Sequence, residues 1–270
     1  MHRRLAQLER SLLTNLFVRS PRGYALTAAG QELLAHVQAM DKEVLAAERR
    51  VGGRELKLEG RVHLSTVDDL AFCLLGPILR DFTRQHEAIC VDMSIDSDFT
   101  NLARREADVA IRPGTQPVEG DLIGRRVGVV GVALYASQAY LKDRAGSRPS
   151  LASLGSLRGH RIVRADDARS SLAMEQIIDR HAPASSTVFR SNSMLARLGA
   201  VRDGLGIGFL PCFAADAENH LVRLGDVHVQ ASAELWILVH ADLRRNARVR
   251  AFVEHVHQAL DAQRARLAGG

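Results

Sequence analysis

Five arginines lie within the first 30 residues, and their positive charge is the first feature of the sequence that points to a binding function. The 270-residue chain has a formal net charge of +5, and Glu9 is the sole acidic residue among the first 30, so that segment contributes +4. A basic excess at one end of an otherwise nearly neutral chain indicates an element that binds a polyanion. A solvated basic helix face is the alternative. The arginines are Arg3, Arg4, Arg10, Arg19 and Arg22.

Motifs for catalysis and for metal binding are missing from the sequence. It contains no Gly-x-Ser-x-Gly, no His-Glu-x-x-His and no phosphate-binding Gly-Lys-Ser/Thr run. His255 and His257 are two residues apart on a predicted helix, so they point to different sides and do not form a metal pair. The stretch "GLGIG" at 204–208 follows a predicted helix and leads into a strand, the reverse of a nucleotide-binding loop. We expect a protein that is not an enzyme and has no cofactor or metal.

The cysteines indicate a reducing compartment. Cys73, Cys90 and Cys212 are odd in number and share no short spacing, so neither a disulfide framework nor a zinc site is encoded. Thiol-based redox sensing by Cys73 or Cys212 is an alternative to simple packing. No export signal is recognisable, and the longest apolar stretch, 127–136, is too short to cross a bilayer. We therefore expect a cytoplasmic protein without a membrane partner.

The basic residues are carried by a predicted helix and a predicted hairpin. Leu5, Leu8 and Leu12 form the apolar face of the opening helix. The sequence "NLFVRSPRGYALT" then predicts two strands joined by a turn that contains Pro21 and Gly23. Arg19 and Arg22 lie at the tip of this hairpin.

A long helix of about 24 residues is predicted next. Thr27 is expected to cap its start, and Gly52-Gly53 ends it. Apolar residues recur along it at alternating steps of four and three, which keeps one stripe facing a partner helix. We expect the stripe to mediate dimerisation; packing against the rest of the same chain is the alternative. Its main members are Leu33, Val37, Met40, Val44 and Val51.

From residue 61 onward, strand-like and helix-like segments alternate. "RVHLSTV", "ICVDMSI", "ADVAIRP", "HRIVRA", "STVFRS" and "IGFLP" are the strand candidates, and helical patterns lie between most of them. This alternation predicts an α/β protein with parallel sheets. In such sheets, ligands usually bind beyond the carboxyl ends of the strands.

This order of elements resembles the LysR-type transcriptional regulators. The stretch "RRLAQLERSLLTNLFVRSPRGYALTAAG" is similar to the second half of that family's winged helix-turn-helix. Further similarities lie in "ADVAIRPG", "VRDGLGIGFLP" and "RVRAFVEHVHQAL", so that the resemblance covers nearly the whole chain. It implies a bacterial regulator that binds promoter DNA as a homodimer or homotetramer and responds to a small molecule.

The resemblance assigns roles to the basic residues. The chain begins at or just inside the recognition helix, so we expect about 30 preceding residues of a complete helix-turn-helix to be missing. His2, Arg3 and Arg4 occupy the end of that helix that enters the major groove, where arginine contacts guanine. Arg19 and Arg22 of the wing are expected to contact phosphate or the minor groove.

The resemblance also implies an effector domain like a type 2 periplasmic binding protein. The implied domains are a partial winged helix-turn-helix at 1–30, a linker and dimerisation helix at 31–56, and an effector-binding domain at 60–270. Its first subdomain would comprise about 60–133 and 232–265, and its second about 134–231. A small effector, more often anionic than not, would occupy the cleft between the subdomains.

Residues just after the predicted strands are the candidates for effector binding. Hydroxyls and free amides at helix starts can receive an anion, and Arg112 offers a forked donor for a carboxylate. Plain helix capping is the alternative for Ser65, Thr100 and Ser193. The full candidate set is Ser65, Thr66, Phe99, Thr100, Arg112, Asn192 and Ser193.

Two other functions are compatible with parts of the sequence. A solute-binding protein would share the two-subdomain body, but the wing, the linker helix and the lack of an export signal disfavour it. A regulatory remnant that binds effector and partner chains without recognising specific DNA is not excluded by any residue.

Overall fold

The computed structural model describes residues 8–9, 11–20, 23–34, 36–37, 40, 58–95, 107–114, 122–143, 157–169 and 172–270. The chain divides into two compact units, residues 1–54 and residues 55–270. Each helix among the described residues is too short or too polar to traverse a bilayer.

The first unit contains the hairpin that the sequence predicts. Strands β1 (Phe17–Ser20) and β2 (Gly23–Leu26) pair antiparallel, with Phe17 opposite Leu26 and Ser20 opposite Gly23. Glu9 ties the preceding helical segment to β1, since its Oε1 accepts from the backbone N–H groups of Leu16 (2.8 Å) and Phe17 (3.1 Å).

The cap predicted at Thr27 is confirmed. Thr27 Oγ1 accepts from the backbone N–H of Gly30 over 3.0 Å and donates to the carbonyl oxygen of Asn15 over 2.8 Å. The hydroxyl therefore starts the following helix and fixes it to the base of the hairpin. Leu16 is buried at this junction, whereas Leu8 and Leu12 are exposed within the described part of the unit.

The second unit is organised around a five-stranded mixed sheet. Its strands are β3 (Gly60–Thr66), β4 (Ile89–Ile95), β5 (Val109–Gly114), β6 (Leu122–Val130) and β12 (Ala233–His240), in the order β4-β3-β5-β12-β6. Strands β3, β4 and β5 are parallel, and β12 is antiparallel to both β5 and β6. The carboxyl ends of β3 and β5 therefore lie at one edge of the sheet, and the end of β12 lies at the opposite edge.

Helices cover one face of this sheet and form the main core. A helical turn α1 (Asp68–Leu70) continues through a π-helical segment (Ala71–Leu75) into α2 (Gly76–Gln85). The π-helical segment precedes Pro77, which has no N–H for the usual bond to the preceding turn. Helix α2 packs against α7 (Ala247–Asp261), with the ring of Phe82 edge-on to Phe252 at 5.1 Å between centroids.

A second sheet contains the strands between residues 132 and 223. Its strands are β7 (Val132–Ser137), β10 (Gly208–Pro211) and β11 (Leu221–Arg223), in the order β10-β7-β11. Both β10 and β11 are antiparallel to β7. The parallel pair β8 (Ile162–Arg164) and β9 (Thr187–Arg190) joins it through a bridge between Ile162 and Ile207. These five strands are called the second sheet below.

Short helices surround the second sheet. They are α3 (Gln138–Asp143), α4 (Ala173–His181), α5 (Met194–Arg202), α6 (Cys212–Ala215) and α8 (Arg264–Ala268). Helix α5 contributes Leu198, Ala200 and Val201 to the main core, and α4 contributes Ile177 and Ile178 to a separate core on the other side.

The chain crosses between the two sheets at neighbouring positions. Gly131 joins β6 to β7, and Ser232 precedes β12; Ser232 Oγ accepts from the backbone N–H of Val132 over 3.2 Å. Helix α8 packs over this crossing, where the N–H of Gly131 donates to the carbonyl oxygen of Leu267 over 2.8 Å. A Cβ on Gly131 would overlap the carbonyl oxygen of Ala268, so glycine is required by this close contact.

The expectation of parallel sheets is met by β3, β4 and β5 and by β8 and β9, but not by the other strands of the two sheets. β12 lies antiparallel between β5 and β6, and β7 lies antiparallel to both of its neighbours. The chain enters the second sheet through the one-residue connection at Gly131 and returns to the first sheet as β12, and neither β7 nor β12 is preceded by the crossover helix that a parallel neighbour requires. The apolar stretch 127–136, which the sequence marks by hydropathy alone, is the end of β6 and most of β7.

Substitution of Gly131 by alanine should destabilise the protein by about 1–3 kcal/mol, because the added methyl meets backbone that cannot rotate away. The matched control is Gly199→Ala within α5, where a Cβ meets nothing within 4 Å. The control should be stabilising by about 0.5–1 kcal/mol through helix propensity. Urea denaturation of both variants measures the difference; equal effects would show that the crossing tolerates a side chain.

Candidate functional site

The carboxyl ends of β3 and β5 carry a buried polar pair. Arg112 Nη2 donates to Ser65 Oγ over 2.7 Å, and both side chains are buried. Arg112 is directly opposite Trp236 across β5 and β12, so the guanidinium and the indole lie on the same face of the sheet. The indole Nε1–H has no acceptor among the described residues. Ser65, Arg112 and Trp236 thus form a donor-rich cluster that is suited to an anionic group.

Thr66 follows Ser65, and its hydroxyl is engaged in the fold. Thr66 Oγ1 donates to the carbonyl oxygen of Ile111 over 2.9 Å, and the side chain is fully buried. The hydroxyl therefore links the ends of two adjacent strands. Its contact with an effector stays a prediction.

Asp68, at the start of α1, connects the two sheets. Its Oδ2 accepts a hydrogen bond from Ser193 Oγ and another from the backbone N–H of Leu195, the latter over 3.2 Å. Ser193 is the N-cap of α5, and its Oγ also accepts from the N–H of Ala196 over 3.0 Å. The Asp68 carboxylate thus lies at the positive end of a helix, where negative charge is stabilised. This link brings the carboxyl ends of β3 and β9 together.

Asp69 is buried beside this link. Its pKa is raised from 3.8 to about 6, because burial disfavours the charged form and the Asp68 carboxylate repels it. The N–H groups of Leu70 and Asp69 and the charge of Arg197 act in the opposite direction. The carboxyl group therefore changes its charge within a range of pH close to neutrality.

Arg197 is a further buried charge at the same place. Its side chain is buried on α5, Nη1 lies 3.9 Å from the sulfur of Met174, and Nε has no acceptor among the described residues. Burial lowers the pKa of Arg197, while the carboxylates of Glu175, Asp69 and Asp68 oppose this shift. Arg197 is thus a desolvated cation whose charge is balanced by carboxylates on both sheets.

A buried ion pair supports this part of the second sheet. Arg164, the last residue of β8, donates from Nε to Glu175 Oε2 and from Nη2 to Asp179 Oδ1, both over 2.7 Å. The other oxygen of Glu175 accepts from the N–H of Ala165 over 2.9 Å. These bonds fix α4 to the carboxyl end of β8 and hold the Glu175 carboxylate in place.

The structure brings some of the predicted effector-binding residues together. Ser65 contacts Arg112, and Ser193 lies on the opposite side of the Asp68 link. Asn192 is exposed next to Ser193. Phe99 and Thr100 lie outside the described residues.

Sequence reasoning missed Asp68, Asp69 and Arg197. Adjacent aspartates directly after a predicted strand, and an arginine within a mostly apolar helix, were the available signals. Neither signal indicates that the three charges meet, because Arg197 lies more than 120 residues after the two aspartates in the sequence.

The predicted DNA-contacting residues fall mostly outside the described part of the chain. Arg19 lies on β1, opposite Tyr24 of β2. His2, Arg3, Arg4 and Arg22 are not among the described residues. All five stay predictions.

The predicted dimerisation stripe is partly described. Val37 and Met40 are 44% and 67% exposed within the analysed chain, and Leu33 is half-buried. Val44 and Val51 lie outside the described residues. Exposed apolar side chains at this spacing agree with a helix face that needs a partner, but its pairing stays a prediction.

Cys73 and Cys212 are not in an activating environment. Burial and the Asp69 charge raise the pKa of Cys73 to about 11, and burial also raises the pKa of Cys212. The reactive thiolate is therefore disfavoured at both positions. No group of three or more metal-ligating side chains occurs among the described residues. His255 packs against Phe82 instead.

Comparison with known proteins gives a family match over most of the chain. Residues 57–261 match the family model described as the LysR substrate binding domain. The HTH-type transcriptional regulator PtxR of Pseudomonas aeruginosa is 26% identical, over 98% of this chain and 85% of that protein.

Solved structures of full-length regulators share the fold. The virulence activator AphB of Vibrio cholerae, described as a member of the LTTR family, aligns with a TM-score of 0.63 at 21% identity. That alignment covers 94% of this chain and 87% of AphB. CbnR in complex with its target DNA aligns with a TM-score of 0.63 at 17% identity, over 96% of this chain and 88% of CbnR.

Neutralisation of Asp69 should change how stability depends on pH. Because the folded-state pKa of Asp69 is raised, its contribution to stability is complete below its ordinary pKa of 3.8 and is lost as the pH rises through about 6. The full loss is on the order of 3 kcal/mol. Asp69→Asn should therefore gain stability over the wild type at pH 7.5 and lose that advantage towards pH 4.5.

Denaturation midpoints at both pH values test this expectation, with Asp143→Asn as an exposed control that should follow the wild type. A deficit of Asp69→Asn that is the same at pH 4.5 and pH 7.5 would contradict it, because the carboxylate would then be a required partner.

Proposed function

The chain belongs to the LysR family of transcriptional regulators, and on that premise we propose that a small-molecule effector, bound in residues 60–270, controls promoter binding by residues 1–30. The similar proteins are regulators rather than enzymes. The proposal places the protein in the cytoplasm, where promoter DNA is available, and requires no cofactor.

The proposed effector domain has two subdomains like those of a type 2 periplasmic binding protein. The first comprises about 60–133 and 232–265, and the second about 134–231. The two sheets support this division, as do the adjacent crossings at Gly131 and Ser232. Two crossings side by side are suited to a hinge, since both connecting segments can bend at the same place.

One observation carries the proposed effector site: the Asp68 link brings the carboxyl ends of strands from both sheets together. Ligands of open α/β sheets bind at such ends, and here two of them face each other. The cluster of Ser65, Arg112 and Trp236 and the buried cation Arg197 support a ligand with a carboxylate or another anionic group.

The effector would act by changing the balance between arrangements of the two sheets. A ligand shifts such an equilibrium only to the extent that it binds one arrangement more tightly than the other. An anion that contacts Arg112 on one side and the start of α5 on the other would compete with or reinforce the Asp68 bonds. Either effect alters the free energy of the link, and with it the relative orientation of the sheets.

The DNA-binding part would be a partial winged helix-turn-helix. His2, Arg3 and Arg4 are the proposed contacts of the recognition helix, and Arg19 and Arg22 those of the wing. The hairpin, with Arg19 on its first strand, supports the wing assignment. Residues 31–56 would pair with the same helix of a second copy, so that the protein binds DNA as a dimer or tetramer.

Removal of the Arg112 guanidinium should weaken effector binding. A set of small carboxylates can be screened by thermal shift for compounds that stabilise the wild type and alter its affinity for DNA from its own promoter region. Arg112→Ala should lose about 1.5–3 kcal/mol of binding free energy to such a compound, as expected for a charge-assisted bond left unmade.

Arg180→Ala, an exposed change on α4, is the control for this measurement and should bind as the wild type does. Equal affinities of Arg112→Ala and the wild type would exclude Arg112 as the anchor. A compound that stabilises the protein without changing its DNA affinity would contradict the proposed regulation, since coupling between two sites is reciprocal.

Charge on the apolar stripe should disrupt self-association. Val37→Asp would place an unpaired carboxylate in the proposed helix pair, where its burial is costly. Gln31→Asp is the matched control, because Gln31 is exposed on the opposite side of the same helix. Sedimentation should show a lighter species for Val37→Asp alone; an unchanged mass would mean that other residues hold the copies together.

A further inference from the structure

Four arginines lie within residues 241–250, far from the Asp68 link. They are Arg244, Arg245, Arg248 and Arg250, and the same stretch contains one carboxylate, Asp242. The stretch therefore carries +3, whereas residues 55–270 as a whole carry +1. The charge is local, which distinguishes it from a generally basic surface.

Three of the four side chains face solvent without a protein partner. Arg244, Arg245 and Arg250 are exposed, and their guanidinium groups make no hydrogen bond or ion pair with any described residue. Arg248 differs, since its Nε donates to the carbonyl oxygen of Arg61 over 2.9 Å. By contrast, Arg125 and Arg126 on β6 are paired with Glu254 and Glu234.

The backbone that carries these arginines is well held. Leu243 and Asn246 are buried on either side of Arg244 and Arg245, and the N–H of Asn246 donates to the carbonyl oxygen of Leu243 over 2.9 Å. Asn246 Oδ1 accepts from the N–H groups at the start of α7 and caps that helix. The arginines thus project from a fixed turn, and the positive end of a 15-residue helix adds to their field.

The sheet topology places this turn at one particular edge. Strand β12 is antiparallel to β5, so residues 241–246 follow it at the edge where the parallel strands β3, β4 and β5 begin. Gly60, the first residue of β3, lies next to the Arg248 side chain. The first strand of the second unit therefore begins at the edge that carries the arginines, opposite the edge of Ser65 and Asp68.

We propose that Arg244, Arg245 and Arg250 form a second nucleic-acid contact that binds the phosphate backbone of DNA without reading its sequence. Arginine and helix N-termini are typical phosphate-binding groups. A duplex held by the preceding residues is tethered to this edge of the second unit by the chain itself, which raises the effective concentration of phosphate there. Such a contact adds affinity and orients the second unit on DNA.

The salt dependence of DNA binding tests the contact. The full chain is titrated with a duplex of arbitrary sequence at several salt concentrations, as wild type and as the triple variant Arg244→Gln, Arg245→Gln, Arg250→Gln. Each neutralised phosphate contributes about 0.9 to the slope of log K against log salt. The slope of the triple variant should be shallower by about 2–3, with affinity at low salt lower by tenfold or more.

The control has the same loss of charge elsewhere on the second unit: Arg158→Gln, Arg161→Gln and Arg180→Gln, all exposed. It should retain the wild-type slope. An unchanged slope for the first triple variant would overturn the contact, as would an equal loss in the control, which would reflect net charge alone. Failure of the wild type to bind DNA at any salt concentration would instead contradict both this contact and the DNA-binding function proposed above.

Discussion

The carboxylate of Asp68 links the two sheets of the second unit by hydrogen bonds. It comes from the first helical turn after β3 and ends at the start of α5, where it accepts hydrogen bonds from Ser193 and Leu195. Bonds to a charged acceptor contribute about 1.5–3 kcal/mol, and these form only when the carboxyl ends of β3 and β9 face each other. The position of Arg197 on α5 relative to Ser65 and Arg112 on the first sheet depends in part on this contact.

Opposing forces act at the same junction. Burial penalises the charges of Asp69 and Arg197, so separation of the sheets would return both groups to water and relieve that penalty. The Asp68 bonds act against separation. A ligand shifts the equilibrium between two arrangements of the sheets only to the extent that it binds one of them more tightly.

The local elements of the fold were predictable from the sequence because their causes are local. The hairpin is predicted by the turn residues Pro21 and Gly23 in the sequence, and the helix cap by the hydroxyl of Thr27. Six strands were likewise visible as short apolar runs between helical patterns. The antiparallel position of β12 was not, because it depends on where residues 233–240 return after a separate sheet has formed.

The candidate site was predictable to a smaller degree. Strand ends indicated Ser65, Arg112 and Ser193, since ligand sites in α/β sheets collect there. The charges that balance the junction were not indicated, because Asp69 and Arg197 belong to different sheets and their pKa shifts arise from burial in the assembled fold. No pattern of neighbouring residues in the sequence predicts that these two side chains come close in the folded protein.

The central place of β12 also bears on the order in which the protein forms during synthesis. Among the described strands, β6 is hydrogen-bonded to β12 alone. Strand β12 leaves the ribosome about 100 residues after β6. Residues 132–231, in contrast, contain all five strands of the second sheet in one continuous stretch. The second sheet is therefore expected to assemble first, while β6 stays unpaired until β12 is inserted between β5 and β6.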